Sequence, residues 1–190
     1  MPTSIVPQIA LNTDQRAERK LLITVVEWTE PTETAGTRTD PIREILGKRT
    51  EDSSIDYNTD IETSTDILGI NYTDVNKTQP EQSFDPFLIL GGSKLAAYLD
   101  YIRRRNALTE LSDFTVYIIT AYIDSGDPTA TPATHAYACE KQTGCTIEFQ
   151  SLGGDVNVNF PITLHFSNNT TAGTVNKLGL DFTFTADANI

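Results

Sequence analysis

Lys94–Leu111 is the one stretch with helical spacing in a chain that otherwise alternates as strands do, and it limits the fold more than any other feature. Leu95, Tyr98, Leu99 and Ile102 recur at three- and four-residue intervals, which gives a helix one apolar stripe. Ser93 is placed to cap its N-terminus, and Gly91-Gly92 lets the chain turn into it. Asp100 precedes Arg104 by four residues, and Arg103, Arg104 and Arg105 crowd the C-terminal end, where cations suit the helix dipole. Burying Leu95, Leu99 and Ile102 contributes about 1.5–3 kcal/mol each. A helix this short does not stand alone in water, so it must lie on a sheet or on a neighbouring chain. The expected architecture is mainly β: a β-sandwich or open barrel of two packed sheets with one flanking α-helix.

The strands are read from period-two alternation. Leu21–Trp28 is apolar on nearly both faces and reads as a central strand. Ser54–Asn58 is a short strand with Ile55 and Tyr57 on one face. In Asp60–Asp66, the residues Asp60, Glu62, Ser64 and Asp66 share one face, and Ile61, Thr63, Thr65 and Ile67 the other. Gly69 marks a bulge or bend before a polar strand over Asn71–Ser83. Phe114–Ile123 is the most β-prone run, followed by Cys145–Leu152, with Ile147 and Phe149 facing one way. Asp155–Ser167 alternates longest: Val156, Val158, Phe160, Ile162, Leu164 and Phe166 inward, with Asp155, Asn157 and Asn159 among the outward residues. Pro161 places an edge or a bend in it. Leu180–Thr185 closes the set with Phe182 and Phe184 inward.

Two long loops separate these strands. Thr29–Thr50 carries Pro31, Gly36 and Pro41, and Asp124–Lys141 carries Gly126, Pro128 and Pro132. Ile42, Ile45 and Leu46 form an apolar turn inside the first loop, which predicts contact with another surface. Residues 1–20 are polar and contain Pro2 and Pro7, an arm expected to order against a partner. No linker interrupts the 190 residues, so one domain is expected over 1–190.

A net charge of −12 argues against a nucleic-acid-binding surface and against anionic membranes, although it does not keep nucleic acid from passing nearby. No apolar run reaches membrane-spanning length, and Pro7, Gln8 and Asn12 interrupt any signal-peptide core, so synthesis in a cytoplasm is expected. Cys139 and Cys145 match no zinc or redox spacing. A small-loop disulfide and two reduced thiols both remain open, with a cytosol favouring the thiols.

Chemistry-bearing motifs are weak. Asp56-Tyr57-Asn58-Thr59-Asp60 starts like a calcium loop, but Ile61 stands where Gly is needed and Ile67 where the bidentate Glu belongs. Gly91-Gly92-Ser93-Lys94 lacks the order and spacing of a P-loop and reads as helix capping. His135 and His165 are the only histidines, and nothing assembles a nucleophile, a base and an oxyanion hole. No catalytic residue, metal or cofactor is expected. The arginines 103–105 are expected to pair with carboxylates, within the chain or across a subunit boundary.

Several short motifs run in series: Glu51-Asp52-Ser53-Ser54, Thr65-Asp66-Ile67-Leu68-Gly69, Val75-Asn76-Lys77-Thr78, Ser83-Phe84-Asp85-Pro86 and Gly91-Gly92-Ser93-Lys94-Leu95. Arg104-Arg105-Asn106-Ala107-Leu108, Gln150-Ser151-Leu152-Gly153-Gly154 and Gly173-Thr174-Val175-Asn176-Lys177-Leu178 continue them. In this order they resemble the major tail tube proteins of long-tailed bacteriophages, over roughly Glu51–Leu178. The N-terminal part and Asp124–Lys141 have no counterpart in the resemblance.

The resemblance implies a homo-hexameric ring stacked into a hollow, non-contractile tail tube, part of the virion. Its partners are other tail proteins (tape measure, tail terminator, distal tail), and double-stranded DNA passes through the lumen without specific binding. It also implies that a long loop between early strands bridges the rings, which falls on Thr29–Thr50 with Pro31, Pro41, Ile42, Ile45 and Leu46. A channel that must not grip DNA suits an acidic face, so Asp60, Glu62 and Asp66 are the first lumen candidates and Asp155, Asn157 and Asn159 the second. The nearest rivals are the tube of a contractile tail or type VI secretion-like system, and a monomeric β-sandwich binding module of the tail.

Overall fold

Alternating apolar residues become strands here only where a neighbouring strand takes up their backbone hydrogen bonds. The computed structural model describes residues 9–50, 53–127, 129–130 and 134–188. The first eight residues of the expected arm, the motif pair Glu51-Asp52, and Pro128 and Pro132 lie outside the described residues. In chain order the strands are β1 (Leu22–Trp28), β2 (Ile42–Ile45), β3 (Ile55–Asp56), β4 (Asp60–Thr65), β5 (Asn71–Lys77) and β6 (Glu81–Phe84). The helix α1 (Lys94–Arg105) follows, then β7 (Phe114–Asp124), β8 (Tyr137–Phe149), β9 (Ile162–His165), β10 (Thr170–Val175) and β11 (Phe184–Ala186).

Nine strands form one antiparallel hydrogen-bonded set in the order β2-β1-β7-β8-β9-β6-β3, with β10 joining β8 and β11 joining β10. Strand β8 runs through both halves: its residues 146–149 pair with β9 and its residues 137–142 with β10. The set curves over on itself. The Thr24 hydroxyl of β1 donates to Oε1 of Gln82 on β6 at 2.9 Å, although three strands separate β1 from β6 in the order. The fold is therefore two packed layers with one helix, as the alternation predicts.

Two apolar clusters fill it. The larger joins Val26, Trp28, Val116 and Ile118 of one layer to Phe84, Ile147, Ile162 and Leu164 of the other, with the stripe Leu95, Tyr98, Leu99 and Ile102 of α1 all buried against them. The smaller, on the opposite face of β1 and β7, gathers Val25, Tyr117, Ile119, Cys139 and Val175 under Phe182. The helix is shorter than its spacing suggests. Asn106 takes the left-handed conformation (φ 53°) and ends it, and Leu108–Ser112 is a separate 3-10 turn.

Three expectations about loops and strands are corrected. Residues 42–45 are not loop but the edge strand β2, paired with β1 from Val25↔Ile45 to Trp28↔Ile42. Residues 137–141 are not loop either, because they open β8 and pair with β7 and β10. Conversely, Asp155–Asn159 is not strand. Its backbone bonds go to Gly153 and to Ile89 rather than to β8, which leaves Val156 88% and Val158 55% exposed.

Candidate functional site

The unusual surface of this chain lies at the two ends of β6. Strands β4 and β5 pair only with each other among the described residues, forming a ribbon that continues from Asp56 and Glu81 beyond the end of the main sheet. Such an isolated two-stranded ribbon is marginal in water. Its side chains make it more so: Ile61, Ile67, Leu68, Ile70, Tyr72 and Val75 are each about half exposed or more, and Ile67 is fully open. At the tip, Asp66 Oδ1 accepts from the N–H groups of Leu68 (2.8 Å) and Ile70 (2.9 Å), and the Tyr72 hydroxyl donates to Oδ2 (3.2 Å). These bonds, the Ile70 N–H foremost, hold the Asp66 carboxyl below its ordinary range. Gly69, at φ 79°, supplies the left-handed residue the turn needs.

This places the first lumen candidates. Asp60 and Glu62 are exposed on β4, with a register shift between Asp60 and Ile61. Asp66 does not continue their face: it lies in the turn, and its carboxylate is committed to the turn's own donors. Asp155, Asn157 and Asn159 sit in the loop at the other end of β6. There Leu88 and Gly153 each bridge to Asn159, and the Ile89 N–H donates to the Val158 carbonyl at 3.2 Å. The Asn159 amide also donates to Asp85 at 3.1 Å. These ties bring together the segments that carry Ile89, Leu152, Val156 and Val158, all substantially exposed.

Between the two ends, the outer face of β6, β9 and β8 is polar. His165 meets Glu148 (Nε2, 2.8 Å) and Glu81 (Nδ1, 3.4 Å), the Ser83 and Thr163 hydroxyls lie 3.1 Å apart, and Gln150 donates to Thr163. The inner face is the core: Gln82 is fully buried, and its amide donates to the Ser53 carbonyl (2.8 Å) and hydroxyl (3.0 Å) while accepting from Thr24. Arg19 also donates to that carbonyl at 2.7 Å, beside a cleft of about 320 Å³ lined by Leu22, Ile45, Thr50 and Phe84.

The expected bridging residues divide. Pro31 and Pro41 are exposed, and Pro31 pairs with Arg38 in a small hairpin pinned down by the Arg38–Glu110 ion pair at 2.7 Å. Ile45 is 38% exposed, but Leu46 is buried and Ile42 half-buried against this chain's own core. The apolar turn therefore already has an internal partner, which removes the sequence argument for Leu46 and weakens it for Ile42.

Sequence reasoning missed Glu44. Its carboxylate accepts from the N–H groups of Lys94 (2.8 Å) and Leu95 (3.0 Å) and from the Ser93 hydroxyl (2.7 Å), so the helix start is filled by a side chain of the same protein. Ser93 caps as expected, accepting from Ala96 at 3.1 Å. It also missed Arg43, which pairs with Glu27 at 2.6 Å, lies over the Phe182 ring and donates to the Phe182 carbonyl. No local signal ties residue 43 or 44 to positions so distant. Arg103 and Arg104 both pair with Asp100, and Arg105 lies over Tyr101, so the arginine run is used within its own helix.

Cys139 and Cys145 are free and buried in different clusters, which excludes a disulfide between them in this fold. Burial pushes the Cys139 thiol up to about 12 and raises Cys145 as well, so neither is a ready nucleophile. Among the described residues no group of three His, Cys, Asp or Glu side chains is placed to hold a metal, the stretch Asp56–Asp60 included.

No family model and no curated protein matches the chain. Among solved structures it is similar to a chain in the sheath/tube terminator of an extracellular contractile injection system (PVC), extended state. Identity there is 11%, covering 85% of this chain and 99% of the other, at a TM-score of 0.47. It is similar to a chain of the corresponding sheath–tube complex at 12% identity, 86% and 95% coverage and TM-score 0.43. A third likeness is to a chain of the anti-feeding prophage baseplate, at 12%, 90% and 99%, and 0.44. Likeness this distant leaves function to be read from the molecule's own surfaces.

Proposed function

We propose that this chain is a structural subunit of a bacteriophage-type tail tube, in which six copies close into a ring and rings stack into a hollow conduit for DNA. The observation that carries the reading is the ribbon β4–β5: it displays aliphatic side chains to solvent and pairs with no other strand among the described residues. A surface of that kind is stable only against a partner. The serial motifs of the sequence support a tail-tube partner, a second copy of the same chain. Among the described residues the outer edges of β2 and β11 pair with no further strand, which supports it too, since ring closure covers open sheet edges.

The role is mechanical rather than catalytic. With each copy at −12, the assembled wall repels a duplex at short range and displaces no counterions from it, so DNA slides instead of binding. The polar face carrying Glu81, Ser83 and Glu148 is our first assignment for that wall, with Asp60 and Glu62 as further acidic positions. The exposed turn around Thr32–Thr37 is a second element at the ring-to-ring boundary. Electron microscopy of the purified protein over a rising concentration series tests the reading. Rings or tubes are expected, and a particle that stays single at every concentration refutes it.

A further inference from the structure

Strand β2 is an edge of the main sheet, and its outer side lies in a groove. Among the described residues β2 pairs with β1 alone, so its other edge has no strand partner. Neighbouring strand residues point to opposite faces, and Arg43 and Glu44 each hold a different wall. Glu44 binds the start of α1 through the Lys94 and Leu95 N–H groups, and Arg43 binds residues 180–182 through the Leu180 and Phe182 carbonyls. Between the walls lie clefts of about 610 and 330 Å³ that share Arg43, Lys94 and Leu180, so they form one groove along β2. We infer that this groove takes an extended, acidic segment of another protein, added to β2 as a further strand.

Charge selects the occupant. The smaller cleft sets Arg43, Lys48 and Lys94 against a single carboxylate, Glu44, which is committed to the helix N–H groups. On a chain of net charge −12 this is a local reversal of sign. Arg43 is paired with Glu27, but Lys48 and Lys94 are exposed and make no ion pair among the described residues. Lys94 also stands in the first turn of α1, where a cation opposes the helix dipole, and its exposure shows that packing does not require it there. The larger cleft balances Arg43 and Lys94 with Glu27 and Asp181, so the preference for carboxylates belongs to the end near Lys48. The rim admits a backbone. Gly91 and Gly92 bring no side chain to it, and a Cβ at either meets nothing within 4 Å. An added strand gains main-chain hydrogen bonds along β2, while ammonium–carboxylate pairs at Lys48 and Lys94 choose its side chains. In the tube reading a neighbouring copy competes for the same edge, and the acidic segment occupies it in a copy that stands outside a ring.

The test uses the full chain at concentrations below any assembly and a fluorescein-labelled, end-capped peptide of alternating threonine and aspartate, followed by anisotropy. The ligand controls are the same peptide with asparagine for aspartate, and the aspartate peptide with alternate backbone nitrogens methylated. The protein variants are Lys48→Gln/Lys94→Gln and, for an equal change of charge at exposed positions elsewhere, Arg16→Gln/Lys20→Gln. Saturable binding of the aspartate peptide to wild type and to the Arg16/Lys20 variant is expected. The Lys48/Lys94 variant is expected to melt as wild type does and to bind at least tenfold more weakly, and both control peptides are expected to lose as much. No saturable binding by wild type, equal binding by the Lys48/Lys94 variant, or binding that survives N-methylation overturns the assignment. A wild type that ignores the peptide, but whose self-association is lost in the Lys48/Lys94 variant, gives the groove to a second copy instead. That result overturns the acidic-segment assignment and leaves the tube reading standing.

Discussion

Gln82 is the residue whose replacement most directly probes how the two layers are joined. It is fully buried, accepts from the Thr24 hydroxyl across the interior and donates to both oxygens of Ser53. Gln82→Leu keeps most of the volume but removes three hydrogen bonds, each contributing about 1 kcal/mol net, and strands the buried Thr24 hydroxyl. The Ser53 carbonyl keeps its bond from Arg19, so its loss is partly covered. The expected cost is ~2–4 kcal/mol, which for a chain of this length lowers Tm by roughly 5–15 °C. Thr24→Val alone strands the Gln82 oxygen and costs ~1–2 kcal/mol. The double variant is expected to cost less than the two together by about 1 kcal/mol, because two of the stranded groups are each other's partners. Urea unfolding of the four proteins measures the cycle, with unchanged m-values showing that the folded and unfolded states remain comparable. Additive costs, or a neutral Gln82→Leu, would refute the claim that this amide ties β1 to β6.

Other outcomes follow from the same contacts. Glu44→Ala leaves the Lys94 and Leu95 N–H groups without their carboxylate and is expected to lower stability by about 1 kcal/mol, with Glu44→Gln keeping part of it; thermal melts of both variants check this. The Asp66 carboxyl is depressed in the folded chain, so its contribution to the tip is present above the unfolded value and lost as pH falls through the folded one. Loss of protection at the Leu68 and Ile70 amides at low pH, their exchange rising toward the intrinsic rates, is the expected signature, with the core amides unaffected. The thiols Cys139 and Cys145 are expected to react with a thiol reagent only after unfolding, and fast labelling of the native protein would contradict their burial. Gly173→Ala pushes a methyl onto the Thr185 carbonyl and the Phe184 ring and is expected to cost 1–3 kcal/mol by thermal melt through displacement of β11.

The elements legible in the sequence are those whose signal is local. The stripe of α1 is written in three- and four-residue spacing, and β1 and β7 in unbroken apolar runs. Alternation alone misleads at Val156 and Val158, which look inward-facing until one asks where the backbone of their segment bonds; the Val158 carbonyl accepts from the Ile89 N–H and Asn159 pairs with Gly153, so the segment joins no strand of the sheet. Strand β2 is hidden because Pro41 precedes it and Arg43 looks like a surface residue, although Glu27, Phe182 and two backbone carbonyls draw its side chain inward. The first half of β8 is hidden by small and charged residues, among them Ala138, Glu140 and Lys141, that fit a strand only because β7 and β10 already flank it. Of the candidate surface, the acidic residues were visible and the display of Ile67 and Leu68 was not. Parity puts Asp66 on a strand face, and only the turn geometry reveals its carboxylate as the clasp that presents its neighbours.

Because β8 walls both interiors, neither can empty while the other stays full. Trp28, the one tryptophan, reports on the helix-side interior, and the Cys139 thiol in a Cys145→Ala variant on the one beneath Phe182, so indole fluorescence and thiol exposure should trace one superimposable melting curve. A fold built this way yields as a whole or not at all, the behaviour that the proposed tube wall would need to keep its bore.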